Sequence, residues 1–114
     1  MTECKVGDIV SIEFPFSDLQ GQKRRPGLVL AADENDVLLA RLTTHPSRDP
    51  SDVTLVHWVE SGLPKPSTIR LAKLATIDRR LVHHRIGRLP LDDGRAVAQA
   101  WQQWAASVSA ELCR

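Results

Sequence analysis

The chain predicts a mainly β fold: a small, mostly antiparallel, strongly twisted sheet or half-barrel closed by a C-terminal helix. Three observations carry that expectation. Short runs of β-branched and apolar residues recur over residues 8–14, 27–32, 37–43, 52–57 and 67–71, with glycine, proline and polar residues between them. Asp33-Glu34-Asn35-Asp36 separates two of those runs with turn chemistry, a hairpin signal. Near the C-terminus the period changes: Val97, Trp101, Trp104, Val108 and Leu112 fall at spacings of four, three, four and four, one helical stripe.

In chain order, Asp8-Ile9-Val10-Ser11-Ile12-Glu13-Phe14 follows Gly7 and reads as a first strand ended by Pro15. Residues 17–23 form a polar loop around Gly21 that ends on Lys23-Arg24-Arg25-Pro26. Proline fixes its own φ and pushes the preceding residue to extended conformations, so Arg25 is expected at a rigid loop end, entering an almost wholly apolar second strand over residues 27–32. The third strand, 37–43, delivers Thr43, Thr44 and His45 at its end, and the following loop carries Pro46 and Pro50. A fourth strand is expected over 52–57. Trp58-Val59-Glu60-Ser61-Gly62 then reads as one helical turn stopped by glycine, with Trp58 as a core plug. Ser67-Thr68-Ile69-Arg70-Leu71 reads as the fifth strand, residues 73–78 continue extended or as a short turn, and 81–89 are ambiguous between strand and helix. After Pro90, Asp92 or Asp93 is expected to N-cap a helix reaching about Leu112, its apolar stripe packed on the sheet.

With 114 residues the chain has room for one domain, 1–114, and a real core. No apolar run reaches membrane-spanning length, and Met1-Thr2-Glu3-Cys4-Lys5 is not followed by a signal-peptide core. The cytoplasm is therefore the default location, with no membrane partner. Cys4 and Cys113 lie near opposite ends and in no metal-ligand spacing, so reduced thiols are expected, a terminal staple being the alternative. The net charge of +1 conceals an uneven distribution. Between Leu63 and Arg88, Lys65, Arg70, Lys73, Arg79, Arg80, Arg85 and Arg88 stand against Asp78 alone, a local balance of +6. A basic face on a nearly neutral protein suits a short nucleic-acid segment better than a long duplex.

Several chemistries find no support. His45, His57, His83 and His84 lack metal-ligand spacing, and neither a phosphate-binding glycine loop nor a nucleophile elbow is present. What remains is arginine, hydroxyl and a basic face. That set can stabilise a pentacoordinate phosphate without a metal: arginine offsets charge building on the equatorial oxygens, and a threonine hydroxyl donates to the same group. With RNA as substrate, the 2′-OH itself supplies the nucleophile. The residues permit this chemistry without demanding it.

Taken together, Gly7-Asp8-Ile9-Val10, Phe14-Pro15-Phe16-Ser17-Asp18-Leu19, Arg24-Arg25-Pro26 before Leu28-Val29-Leu30, Leu42-Thr43-Thr44, Gly62-Leu63-Pro64-Lys65-Pro66-Ser67 with Arg70, Leu74-Ala75-Thr76-Ile77-Asp78 and Ile86-Gly87-Arg88-Leu89 resemble the MazF/PemK (Kid) toxins of type II toxin–antitoxin systems. The set spans nearly the whole chain. The resemblance implies an SH3-like barrel of the CcdB/PemK/MazF type and a likeness to homodimeric, sequence-selective, metal-independent endoribonucleases of single-stranded RNA. Such enzymes leave a 2′,3′-cyclic phosphate and a 5′-OH. It implies no cofactor, a cognate antitoxin as partner, and contact with operator DNA only through that antitoxin. By the same resemblance Arg25, Thr43 and Arg70 are the catalytic residues; Lys23, Arg24, Thr44, His45, Lys73, Arg79, Arg80 and Arg85 are the candidate RNA contacts, with Arg79, Arg80 and Arg85 taken from the basic face. Two departures stand out. Kid carries an aspartate two residues after the arginine that Arg70 matches, and this chain has Ala72, which leaves the general base unassigned. Many relatives carry glutamine two residues after the threonine, where this chain has His45. The alternative class is a non-catalytic SH3-like binding module, or a poison of a protein target on the same fold.

Overall fold

The computed structural model describes residues 3–13 and 24–114. The expectations for residues 14–23, including the Phe14-Pro15-Phe16 segment, the polar loop and Lys23, lie outside the described residues. Six strands form one antiparallel sheet: β1 (Asp8–Glu13), β2 (Arg24–Ala32), β3 (Asp36–Thr43), β4 (Asp52–Thr54), β5 (Thr68–Asp78) and β6 (Val82–Arg88). Their order is β4-β5-β3-β2-β1-β6, and α1 (Leu91–Leu112) follows the last strand. The expected mainly β architecture with a C-terminal helix is the one observed.

Both faces of this sheet are buried, against different cores. On one, Val10, Ile12, Val29, Val37, Leu39, Ala75, Ile77 and Val82 pack together with Cys4. On the other, Ile9, Leu28, Ala40, Leu42, Ile69 and Leu71 pack against Val53, Leu55, Leu63 and Val97, the last brought by α1. The alternation along β1, β2 and β3 is that of an ordinary pleat, with neighbouring residues pointing to opposite faces. β5 departs from it. Ala40 faces Leu74, whereas the next residue on β3, Arg41, faces Arg70, so Leu71, Ala72 and Lys73 form a bulge. The bulge reverses the parity of β5: Ile69 and Leu71 serve the helix-side core, while Ala75 and Ile77 serve the other.

Several expected boundaries move, each for a visible reason. β2 begins at Arg24, so Arg25 lies within a strand, opposite Ile12, and not at a loop end. β4 stops at Thr54, short of the expected His57. The cause is Asp93, 2% exposed, whose carboxylate accepts hydrogen bonds from the backbone N–H groups of Val56 (2.9 Å) and His57 (2.8 Å) and so draws that segment out of the ladder. Asp93 consequently does not cap α1; Pro90 occupies the N-cap without a side-chain hydrogen bond. Residues 58–62 make the expected turn, with Gly62 at φ +86°, and Trp58 is partly buried against the helix-side core. Residues 81–89 resolve into a short 3-10 turn, Arg79–Leu81, followed by β6. Gly87 carries β6 past the 57–63 turn at a separation where a Cβ would overlap the Ser61 carbonyl.

The helical stripe is core only in its first half. Val97 is buried and Trp101 packs at the edge of the helix-side core, but Val108 is 40% and Leu112 79% exposed. A 22-residue helix is about 33 Å long, and its second half projects beyond the sheet's apolar surface. Trp101 and Trp104 pack against each other with ring centroids 5.7 Å apart and ring planes tilted by 47°. Cys4 is buried and Cys113 exposed, and no disulfide joins them.

The Asp93 contact is the tie between α1 and the 55–58 segment. Asp93→Ala strands two backbone donors inside the protein, and is expected to lower stability by about 1–3 kcal/mol. A chemical-denaturation midpoint shift with an unchanged slope checks this; a midpoint equal to that of the wild type would show the tie to be dispensable.

Candidate active site

At the Thr43 end of β3 the site begins with a row of charge. Cross-strand register sets Asp52 on β4 opposite Arg70 on β5, Arg70 opposite Arg41 on β3, and Arg41 opposite Gly27 on β2. Directly opposed residues share a face, so three charged side chains line up across three strands, and Gly27 contributes no side chain beside them. Arg25, two residues before Gly27, and Thr43, two residues after Arg41, fall on the same face by the period of the strand. This is the face that, further along, buries Val29 and Leu39. The site continues a core surface whose side chains have changed from apolar to cationic.

Arg25, Pro26, Arg41, Thr43, Thr44 and His45, with Leu42 and Ser67, line a cavity of about 150 Å³. Arg25, Arg41 and Thr43 are half-buried, while Thr44 and His45 are exposed at the rim. The Thr43 hydroxyl oxygen accepts a hydrogen bond from the His45 backbone N–H at 3.2 Å. That bond leaves the hydroxyl proton of Thr43 available to donate into the cavity.

Counter-charge is scarce here. Among the described residues no carboxylate pairs with Arg25 or Arg41. Arg70 has one, Asp52, whose side chain is 2% exposed and whose Oδ1 lies 3.6 Å from the Arg70 Nε. The second Asp52 oxygen accepts the Arg48 backbone N–H at 3.0 Å. Burial first, and then the guanidiniums of Arg25 and Arg70, lower the pKa of Arg41 from its ordinary value. The Nε of Arg41 is buried without a hydrogen-bond partner among the described residues.

The structure therefore brings together Arg25, Thr43, Thr44 and His45 around one cavity, with Arg70 next in the row. Arg24 stands exposed at the start of β2, and Lys73 lies exposed in the β5 bulge beside Ala72. Arg79 and Arg80 are not at this end. Asp78 pairs with Asp36, seven positions along β3 from the Thr43–Thr68 pair at about 3.3 Å per residue, and the 3-10 turn follows it. There Arg79 donates to the Asp33 carbonyl at 2.8 Å, and Arg80 forks onto Asp78 at 2.9 and 3.1 Å. That fork holds the Asp78 carboxyl down at about 2. Arg85 and Arg88 converge on the buried carboxylate of Asp8, at 3.2 and 3.1 Å. The local excess of positive charge read from the sequence is thus dispersed over three places.

Two residues of the row escape a reading by motif. Arg41 interrupts the apolar run Val37-Leu38-Leu39-Ala40 and stands two positions before Thr43. A lone cation at that parity is the signal that could have found it. Asp52 becomes visible only through β4–β5 pairing.

Comparison with known proteins places the fold. The structure is similar to the Mycobacterium tuberculosis toxin MazF-mt6, with TM-score 0.68, 23% identity, and coverage of 82% of this chain and 90% of that one. It is similar to an endoribonuclease in complex with its cognate antitoxin from a mycobacterial species, at TM-score 0.67 and 15% identity, covering 82% and 86%. It also resembles the MazE–MazF structure from Deinococcus radiodurans, at TM-score 0.70 and 19% identity, covering 93% and 96%. No curated protein matches the sequence. The model of the PemK-like, MazF-like toxins matches residues 5–105. The chain belongs to that family of type II toxin–antitoxin system toxins.

Proposed function

We propose that this toxin is an endoribonuclease that cuts single-stranded RNA by attack of the substrate's own 2′-OH, acting in the cytoplasm as a homodimer. The observation that carries the reading is the cavity in which Arg25 and Thr43 meet. A guanidinium is a planar fork of donors, charged at any working pH, and suits two oxygens of one phosphate. A hydroxyl whose oxygen is already held by the His45 backbone N–H points its proton at a third oxygen without reorganising. Together they oppose the charge that develops as the 2′-oxygen adds to phosphorus and the 5′-oxygen leaves, giving a 2′,3′-cyclic phosphate and a 5′-OH. Arg70, held by Asp52, adds positive potential from the next strand. Thr44 and His45 at the rim are placed to touch the flanking nucleotides. A purely binding module on this fold would have little use for a free hydroxyl donor beside three guanidiniums.

Arg25 is expected to matter for turnover more than for folding. Arg25→Ala should cost on the order of a hundred-fold or more in cleavage rate, with a melting temperature near that of the wild type. Arg25→Lys should recover little, since a point charge does not reproduce the fork. Near-normal cleavage by a folded Arg25→Ala protein would remove Arg25 from the mechanism.

The partner follows from the same surface. The chain leaves β4 beside Ser67, through the Leu55 N–H to Ser67 carbonyl bond of 3.0 Å, and exposes Val56 and Val59 on either side of Trp58. An acidic, apolar antitoxin segment that folds on binding would offset the arginines and cover those residues. RNA and that segment should then exclude each other. With an RNA whose scissile 2′-OH is replaced by hydrogen, competition should be complete. A ternary complex holding both on one protomer would show that inhibition works another way.

A further inference from the structure

Arg41 has no role in the reading above, and its setting needs one. It is half-buried in the middle of the sheet's width, its Nε is sealed from water, and it makes no hydrogen bond or ion pair among the described residues. It faces the same cavity as Arg25 and stands directly opposite Arg70. Like charges directly opposed across a ladder are destabilising, and burial raises that cost because the screening by water is reduced. Asp52 answers one of the three guanidiniums. Two positive charges remain that the described fold leaves uncompensated, and an apolar residue at position 41 would suit the surrounding strand better.

We propose that Arg41 binds a phosphate of the RNA backbone next to the scissile one, so that Arg25 with Thr43 and Arg41 with Arg70 grip two consecutive phosphates along β3. The inference rests on the endoribonuclease reading for the identity of the ligand, but not for the presence of an anion. Arg41 and Thr43 lie two residues apart on one face, about 6.6 Å along the strand, which separates the two grips in the direction a single strand would run. The bound phosphate supplies counter-charge that the row lacks among the described residues, and it is the natural acceptor for donors with no partner among them. Because the grip is made equally in the ground state and the transition state, its loss should appear in binding more than in the rate at saturation.

The test uses the full-length toxin, an uncleavable mixed-sequence RNA carrying 2′-fluoro groups, and titrations at several salt concentrations. Arg41→Gln should bind this RNA on the order of ten-fold more weakly. The slope of log affinity against log salt should fall by about 0.7, the loss of one phosphate contact on a single strand. Arg41→Lys should keep most of the slope. In phosphate-free buffer Arg41→Gln should melt no lower than the wild type, and added inorganic phosphate should raise the melting temperature of the wild type more than that of the variant. If the wild type binds RNA and Arg41→Gln binds with the same affinity and slope, the proposal is overturned while the nuclease reading stands. If the wild type binds no RNA, the nuclease reading fails, and the phosphate-dependent melting shift then decides the anion site by itself. A variant that melts far below the wild type, together with a wild-type Arg41 Nε resonance unmoved by phosphate, would make Arg41 a structural residue and overturn the proposal.

Discussion

The bulge in β5 is the constraint on which the rest of the molecule depends. A six-stranded antiparallel sheet with a strict two-residue period would put Ile69, Leu71, Ala75 and Ile77 on one face. Here Leu71, Ala72 and Lys73 are inserted between the partners of Ala40 and Arg41, so the first pair serves the helix-side core and the second pair the opposite one. One strand thereby closes two cores. The same irregularity turns Arg70 onto the face that Arg41 and Thr43 already occupy. Without it, Arg70 and its carboxylate partner would belong to another surface, and the row Asp52–Arg70–Arg41 would not form.

That row concentrates cations where the family's chemistry would use them. Several other arginines have partners: Arg80 has Asp78, Arg85 and Arg88 share the buried Asp8, and Arg79 holds the Asp33 carbonyl. These contacts answer those charges locally, the exposed Arg80–Asp78 pair adding little to stability. Among the described residues the cluster of Arg25, Arg41 and Arg70 has one carboxylate for three guanidiniums. Groups arranged at a cost to the folded state are what pre-organised electrostatic stabilisation requires, since the donors need no reorientation when charge develops. On the proposed reading, an anion would complete the site.

How far the sequence could be read follows from which forces are local. Strand period, the Asp33–Asp36 turn and the helical change of period after Pro90 are short-range signals, and they place the first five strands and the helix, while β6 lies in a stretch whose pattern fits strand and helix alike. Arg25 and Thr43 are singled out by the family resemblance, Pro26 and a strand end marking their positions, although Arg25 lies within β2 and not at a loop end. The misses are long-range. β4 ends early because Asp93, thirty-seven residues beyond Val56, captures its backbone donors. The stripe on α1 fails past Trp104 because the sheet runs out beneath it, a matter of tertiary size and not of helical period. Arg79 and Arg80 belong by charge count to one basic stretch with Arg70, but the length of β5 carries them to the other end of the ladder. Arg41 sat in view, a single cation in an apolar strand, and only its alignment with Arg70 shows its place.

The central claim is that the cavity of Arg25 and Thr43 supports metal-independent attack by the substrate's 2′-OH, which in net passes its proton to the leaving 5′-oxygen. The most direct measurement is incubation of the purified toxin with a mixed-sequence RNA in excess EDTA, followed by mapping of the fragment ends. The account predicts cleavage that persists undiminished, with 2′,3′-cyclic phosphate and 5′-OH termini at a restricted set of sequences. Intact RNA that is cut only when a divalent metal is restored, or fragments ending in 3′-OH and 5′-phosphate, would contradict it.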